Sequence, residues 1–117
     1  MKAIDMTAKL VDGAAIIYPG AYLNQLRGEV LEHHCQELLG KGVRRLVINF
    51  AETELINSIG ISILLSVIET VNSANGKLLL TNLNESNREL FEMLGLMSHV
   101  CIEENEQTAL AKLYSYA

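Results

Sequence analysis

The residues best placed for chemistry in this sequence are Asn57, Ser58, Ile59 and Gly60, which stand between a short apolar run and a long, largely apolar segment. They put a hydroxyl at a predicted helix start. The first turn of a helix leaves backbone N–H groups without partners and carries partial positive charge, so it favours an anion such as a phosphoryl group. Ser58 is therefore a candidate phosphoacceptor and switch.

Purely structural roles also explain these residues. Asparagine and serine are among the commonest helix caps, so either Asn57 or Ser58 could simply satisfy an unpaired N–H. Gly60 needs another reason, because glycine inside a helix costs about 1 kcal/mol relative to alanine. Close approach of another backbone or of a bulky partner would require a glycine, and so would packing of the helix against its own sheet. The sequence leaves these explanations open.

The apolar pattern predicts a chain in which strands and helices alternate. The predicted strands are an alternating run from Ile4 to Leu10, then Ala14 to Tyr18, Leu46 to Phe50, Lys77 to Leu83 and Val100 to Ile102. The predicted helices run from an Asn24 cap to Gly40, from Ser58 to Asn75, from a capping box at Ser86 and Glu89 to Gly95, and from Glu106 to Tyr114.

This order predicts an α/β fold with a mixed, mostly parallel sheet of about five strands and about four helices. Asp12 and Gly13 form a turn signal, so the sheet should begin with a hairpin, and helical crossovers then make the following strands parallel. In open α/β sheets, ligands and partners meet the loops that leave the carboxyl ends of the strands. Residues 51–58 form such a loop.

Length and charge narrow the class of protein. The chain has 117 residues, half of them apolar, and a net charge of −5, so we expect one domain over residues 1–117. No Lys/Arg cluster extends beyond Val43, Arg44 and Arg45, which argues against a nucleic-acid surface. The longest uncharged stretch, from Leu55 to Ile68, is too short to span a bilayer, and the N-terminus lacks an apolar signal core. We therefore expect a cytoplasmic protein without membrane insertion.

Metal binding is not expected. His33 and His34 adjoin Cys35, but neighbouring helix positions point about 100° apart and do not converge on one ion. His99 and Cys101 share a strand face, yet two ligands do not make a site. Both cysteines are instead expected as buried free thiols.

Catalysis is not expected either. Ser58 lacks the Gly-x-Ser-x-Gly frame of a nucleophile elbow, and no acid–base set can be placed beside it. No glycine-rich phosphate loop follows the first strand, so no cofactor is predicted. The acidic run from Glu103 to Glu106 is predicted to be a solvated helix start.

One stretch of the sequence resembles the middle of a STAS domain, the fold of bacterial anti-sigma factor antagonists. The landmarks are a buried strand, a loop ending in an acidic residue followed by Ser or Thr, a nearby glycine, a long helix, a Gly-Lys-like start to the next strand, and a helix ending near a Leu-Phe-x-x-x-Gly-Leu pattern. Here they are Leu46 to Phe50, Asn57, Ser58, Gly60, the helix to Asn75, Gly76 with Lys77, and Leu90, Phe91, Gly95 and Leu96. The order of elements fits nearly the whole chain.

The resemblance implies a partner switch. Unphosphorylated antagonists of this family bind an anti-sigma factor that is also a serine kinase, which frees the sigma factor. The kinase then uses its own ATP and Mg²⁺ to phosphorylate the antagonist, and the complex dissociates. The matching phosphoacceptor here is Ser58, with Asn57, Ile59, Gly60 and Tyr22 as partner contacts.

Two positions depart from the family pattern. Asn57 stands where phosphorylated members usually have aspartate, and Tyr22 lies in a loop that often reads Gly-x-Leu-Asp. Tyr22 is either an apolar contact for a partner or an aromatic ring that closes over the core. The alternative function is a STAS docking module that is never phosphorylated and serves as a small subunit of a signalling or transporter complex. The oligomeric state stays open.

Overall fold

Regular alternation of strands and helices builds one five-stranded sheet between two helical layers in the computed structural model, which describes residues 6–114. The strands are β1 (Thr7–Val11), β2 (Ala14–Tyr18), β3 (Tyr22–Leu23), β4 (Arg45–Asn49), β5 (Leu55–Ile56), β6 (Lys77–Thr81) and β7 (Cys101–Glu103). The helices are α1 (Gln25–Gly40), α2 (Ser58–Ser73), α3 (Glu85–Met93) and α4 (Glu106–Tyr114).

The sheet order is β1-β2-β4-β6-β7, with β1 antiparallel and the other strands parallel. The antiparallel pair follows from Asp12 and Gly13, both at positive φ, which make a tight turn between Val11 and Ala14. Each later strand is reached through a helical crossover, and that connection makes neighbouring strands parallel. The predicted α/β fold and its mostly parallel sheet are confirmed.

Helices α1, α2 and α3 cover one face of the sheet, and α4 covers the other. Alternate residues of each central strand point to the two faces, so Ile48 and Leu80 contact the larger core while Val47 and Leu79 contact α4. The middle of β4, from Leu46 to Ile48, is therefore apolar without interruption, as expected of a parallel strand that is buried on both sides.

Helical spacing in the sequence predicts an apolar stripe of Ile59, Ile63, Val67 and Val71 on α2, widened by Leu64 and Ile68, and the structure differs from it. Ile59 is 47% exposed and Ile63 is half-buried, whereas Ile61, which the predicted stripe omitted, is buried. The buried stripe is Gly60, Ile61, Leu64, Val67, Ile68 and Val71. Ile63 instead packs against α1, where a Cβ on Gly28 would lie 2.8 Å from its Cδ1. The start of α2 thus turns Ile59 away from the sheet.

Two further sequence predictions are wrong. The cap of α3 is Asn84, whose side chain accepts a hydrogen bond from the Asn87 N–H at 2.8 Å, and not a box of Ser86 and Glu89. The alternating run predicts a half-buried strand, but in the edge strand β1 Ala8 and Leu10 are exposed, Leu10 by 66%, and only Met6, just before the strand, is buried. Residue 4, at the start of that predicted strand, lies outside the described residues.

The thiols occupy different environments. Cys35 is buried in the larger core, and this burial raises its pKa to about 12. Cys101, predicted to be buried, is only half-buried at the edge strand β7, where its Sγ lies 2.9 Å from the Lys112 Nζ. Both are free. Across residues 6–114, no three His, Cys, Asp or Glu side chains are grouped in a way that could hold a metal ion.

The segments that the structure describes include no helix with the length and apolarity needed to cross a membrane.

Glu106 is not the solvated helix start that the sequence suggested. Its carboxylate accepts hydrogen bonds from the Tyr18 hydroxyl and, at 2.9 Å, from the Asn49 Nδ2, and it forms an ion pair with the Lys9 Nζ at 3.3 Å. Burial alone would raise the pKa of Glu106, but the hydrogen bonds outweigh it and leave the pKa below its ordinary value. This group ties α4 to three strands of the sheet.

We predict that Glu106→Gln lowers the free energy of unfolding at neutral pH by about 1–2 kcal/mol, because hydrogen bonds to a charged acceptor are lost. A carboxyl whose pKa is lower in the folded state contributes stability above its unfolded pKa, and that contribution is lost as the pH falls through the folded pKa. Urea unfolding from neutral to acidic pH should therefore show a smaller acid loss in Glu106→Gln than in wild type. The exposed Glu104→Gln variant is the control, and equal behaviour of the two variants would refute the anchoring role.

Candidate functional site

Two loops at the carboxyl ends of β2 and β4 are joined side by side. Their short strands β3 and β5 pair in parallel, with Tyr22 opposite Leu55 and Leu23 opposite Ile56. Because side chains alternate along a strand, Leu23 and Ile56 enter the core while Tyr22 and Leu55 face outward. The sequence did not predict this pair, since two-residue strands are too short to show a period.

Hydrogen bonds from both sides hold these loops in place. The Thr53 hydroxyl donates to the Gly20 carbonyl at 2.7 Å, and the Glu54 N–H donates to the Ala21 carbonyl at 2.8 Å. From the other side, the Asn84 Nδ2 donates to the Glu54 carbonyl at 3.2 Å. The loop that carries the candidate site is therefore fixed to both of its neighbours.

Asn57 is the cap of α2. Its Oδ1 accepts a hydrogen bond from the Gly60 N–H at 2.8 Å, and its Nδ2 donates to the Tyr22 hydroxyl at 3.2 Å. Its own N–H donates to the Leu23 carbonyl at 3.1 Å. The capping role that the sequence left between Asn57 and Ser58 thus belongs to Asn57, and the Ser58 hydroxyl is not needed for it.

Gly60 is explained by close approach of backbone from its own chain. It is buried, and a Cβ added there would lie 2.3 Å from the Leu23 carbonyl oxygen and 3.0 Å from the Leu23 carbonyl carbon. Any side chain would push the first turn of α2 away from β3. Gly60 therefore positions the helix, while its predicted contact with a partner stays a prediction.

Ser58 lies at the first position of α2 and is exposed. Within residues 6–114 its hydroxyl makes no hydrogen bond, and the N–H groups of Ser58 and Ile59 have no acceptor. No acidic residue occupies the first turn. An anionic group on the Ser58 oxygen would therefore meet unpaired donors and the positive end of the helix, which stabilise it.

Large apolar side chains surround Ser58 at the surface. The exposed fractions are 42% for Tyr22, 57% for Leu26, 55% for Leu55 and 47% for Ile59. We call these four residues, together with Asn57 and Ser58, the Ser58 surface. Contiguous exposed apolar side chains with a polar rim are typical of protein-binding sites.

The structure brings together most of the predicted site and adds to it. Tyr22 faces outward and does not close over the core, and Ile59 is beside it on one groove of about 480 Å³. In the first helix, apolar residues at helical spacing predict one stripe of Leu26, Val30, Leu31, Cys35 and Leu38, but Leu26 is exposed; for Leu55 the sequence predicts no role. A finer reading of helical spacing would have found Leu26, because Leu31, Cys35 and Leu39 form the buried row without it.

The chain belongs to the STAS domain family, whose model matches residues 5–109. Among similar proteins is BtrV of Bordetella bronchiseptica, which is named as a candidate anti-sigma factor antagonist; it is 28% identical over 106 residues, which are 91% of this chain and 91% of that protein. Relatives of this description support a general role as an anti-sigma factor antagonist.

Solved structures show the same fold. A candidate anti-sigma factor antagonist from Thermotoga maritima superposes with a TM-score of 0.86 at 21% identity, over 93% of this chain and 94% of that one. The Bacillus cell fate determinant SpoIIAA, solved in its phosphorylated form, superposes with a TM-score of 0.72 at 17% identity, over 92% of this chain and 98% of that one.

We predict that Gly60→Ala lowers the free energy of unfolding by about 2–3 kcal/mol, since the new methyl group cannot fit against the Leu23 backbone. Gly40→Ala is the matched control: it also lies in a helix, but an added Cβ there meets nothing within 4 Å. That substitution should leave stability unchanged or raise it by up to about 1 kcal/mol. Denaturant unfolding of both variants checks this, and equal stabilities would contradict the close contact.

Proposed function

We propose that this protein is an anti-sigma factor antagonist whose Ser58 surface binds an anti-sigma factor that is also a serine kinase, and that phosphorylation of Ser58 ends the complex. The observation that carries the proposal is the exposed Ser58 hydroxyl at a helix start where Asn57 already provides the cap. Because Ser58 is not needed as the helix cap and lies among exposed apolar side chains, its hydroxyl is accessible both to a partner and to a kinase.

The names of similar proteins support this assignment. BtrV is named for antagonism of an anti-sigma factor, and SpoIIAA has been solved with a phosphoryl group attached. In this chain, the family resemblance makes Ser58 the phosphoacceptor. We assign the protein no catalytic activity of its own and place it in the cytoplasm, where it would meet its partner.

The phosphorylation step needs nothing from this chain except the hydroxyl and its position. The kinase holds ATP and Mg²⁺; the Ser58 oxygen forms a bond to the γ-phosphorus, the bond from that phosphorus to the ADP oxygen breaks, and the hydroxyl proton passes to a base of the kinase. The product carries a charge of about −2 at neutral pH. On the antagonist alone, that charge is stabilised by the free N–H groups of Ser58 and Ile59 and by solvent.

Release of the partner follows from the neighbours of Ser58. Ile59 and Leu55 are apolar, so a bound partner covers this region with little water present. Burying a doubly charged group there without full pairing is costly, and the complex is weakened as a result. The neutral Asn57 adds no repulsion to the new charge, because it caps with an amide oxygen and not with a carboxylate.

The test is intact mass after incubation of the protein with ATP, Mg²⁺ and each serine-kinase anti-sigma factor of its own organism, purified singly. Wild type should gain one phosphoryl group with one of them, and Ser58→Ala should gain none. Ser62→Ala is the control, since Ser62 is exposed one turn further along α2. A wild type that binds a kinase but never gains mass would leave the unphosphorylated docking module as the function.

A binding measurement with the same kinase tests release. Ser58→Asp should weaken the complex at least about tenfold while urea unfolding stays close to wild type, because the added charge is local and exposed in the free protein. Ser62→Asp is the matched control. Unchanged affinity for Ser58→Asp would place the contact elsewhere on the molecule.

A further inference from the structure

The groove that forms part of the Ser58 surface carries a single charged side chain among the described residues. It lies between the start of α1 and the start of α2 and is lined by Tyr22, Asn24, Gln25, Leu26, Glu29, Asn57 and Ile59. The Glu29 carboxylate accepts a hydrogen bond from the Gln25 Nε2 at 3.1 Å and, within residues 6–114, forms no ion pair. The groove thus combines three apolar walls with one carboxylate that has no cation beside it.

The surroundings of the groove are acidic. Of residues 6–114, none that lines the groove is lysine or arginine. The nearest arginine along α1, Arg27, turns away: its guanidinium donates to the Pro19 carbonyl and lies against Gly20. The adjoining loop exposes Glu52 and Glu54, and the chain as a whole carries a net charge of −5. The potential at the groove therefore favours a cation.

We propose that this groove binds an apolar side chain flanked by arginine or lysine on the anti-sigma factor, with Leu26 and Ile59 contacting the apolar side chain and Glu29 pairing with the cation. The inference rests on the proposed function for the identity of the partner. Apolar burial supplies most of the affinity in such a contact, while the charge pair sets the choice of partner and the rate of association.

The two charge effects belong to different residues of one surface. Ser58 does not line the groove, although its neighbours Asn57 and Ile59 do, so a phosphoryl group on Ser58 and a cation at Glu29 act through different side chains. Glu29 then selects the partner in the unphosphorylated state, and Ser58 ends the complex. One surface thereby carries a specificity residue, Glu29, and a switch residue, Ser58, and each can be substituted without the other.

The test uses the full chain labelled with nitrogen-15 and two short peptides of equal length, one with a leucine between arginines and one with the leucine between glutamates. Titration followed by amide chemical shifts should show saturable changes at Leu26, Glu29 and Ile59 with the arginine peptide. Affinity should fall about tenfold for Glu29→Lys and with rising salt. The glutamate peptide should bind at least about tenfold more weakly.

Matched variants separate the groove from general charge and exposure. Glu69→Lys makes the same charge change at an exposed position on α2, and Leu10→Ala removes an exposed leucine on β1, so neither should alter binding. Leu26→Ala should weaken it. The inference is overturned if the two peptides bind equally, if Glu29→Lys behaves like Glu69→Lys, or if the shifts fall outside the groove.

The peptide result does not depend on a kinase. Absence of phosphoryl gain on Ser58 would remove the proposed switch while leaving the charge preference of the groove measurable. Phosphoryl gain together with equal peptide binding would keep the switch and remove the inference. With the kinase in hand, Glu29→Lys should lower its affinity while Glu69→Lys leaves it unchanged.

Discussion

The contact between the Gly60 backbone and the Leu23 carbonyl is the constraint on which the site depends. It brings the first turn of α2 against β3, and β3 in turn pairs with β5. With helix and strand at this separation, Asn57 reaches both the Gly60 N–H and the Tyr22 hydroxyl. Because Gly60 has no side chain, the helix can lie close enough to β3 for Asn57 to cap it and to hold the exposed Tyr22 ring. The same arrangement leaves Ser58 exposed.

The two faces of the sheet have different roles: one anchors a helix, and the other carries the exposed site. On the face of α4, Tyr18, Asn49 and Glu106 satisfy one another and tie the helix down. At the start of α2, by contrast, Ser58 is left without a hydrogen bond among the described residues, and large apolar side chains stand exposed. Folded proteins usually cover their large apolar side chains, so the end that exposes several of them beside an accessible hydroxyl is the end that is suited to a partner.

Sequence patterns were enough to locate the elements that are long enough to show a hydrophobic period. The central strands and α1, α2 and α4 could be located from apolar spacing, and the Asp12–Gly13 turn predicted the hairpin. Shorter features could not. β3 and β5 contain two residues each, so the outward-facing Leu55 gave no signal, and the anchoring of Glu106 depends on Tyr18, distant by 88 positions in sequence. Ser58 was found because its type and place are local properties, whereas Leu26 and Glu29 join it only through the packing of α1 on α2.

The central claim is that Ser58 stands on a rigid platform that accepts a phosphoryl group without rearranging. The most direct measurement is the amide NMR spectrum of the protein carrying phosphoserine at position 58, incorporated during synthesis, beside that of the unmodified protein. Our account predicts large shifts at the Ser58 and Ile59 amides, which gain an acceptor, with β4, β6 and α4 unchanged. Shifts that spread through the sheet, or amides at Ser58 and Ile59 that do not move, would contradict it.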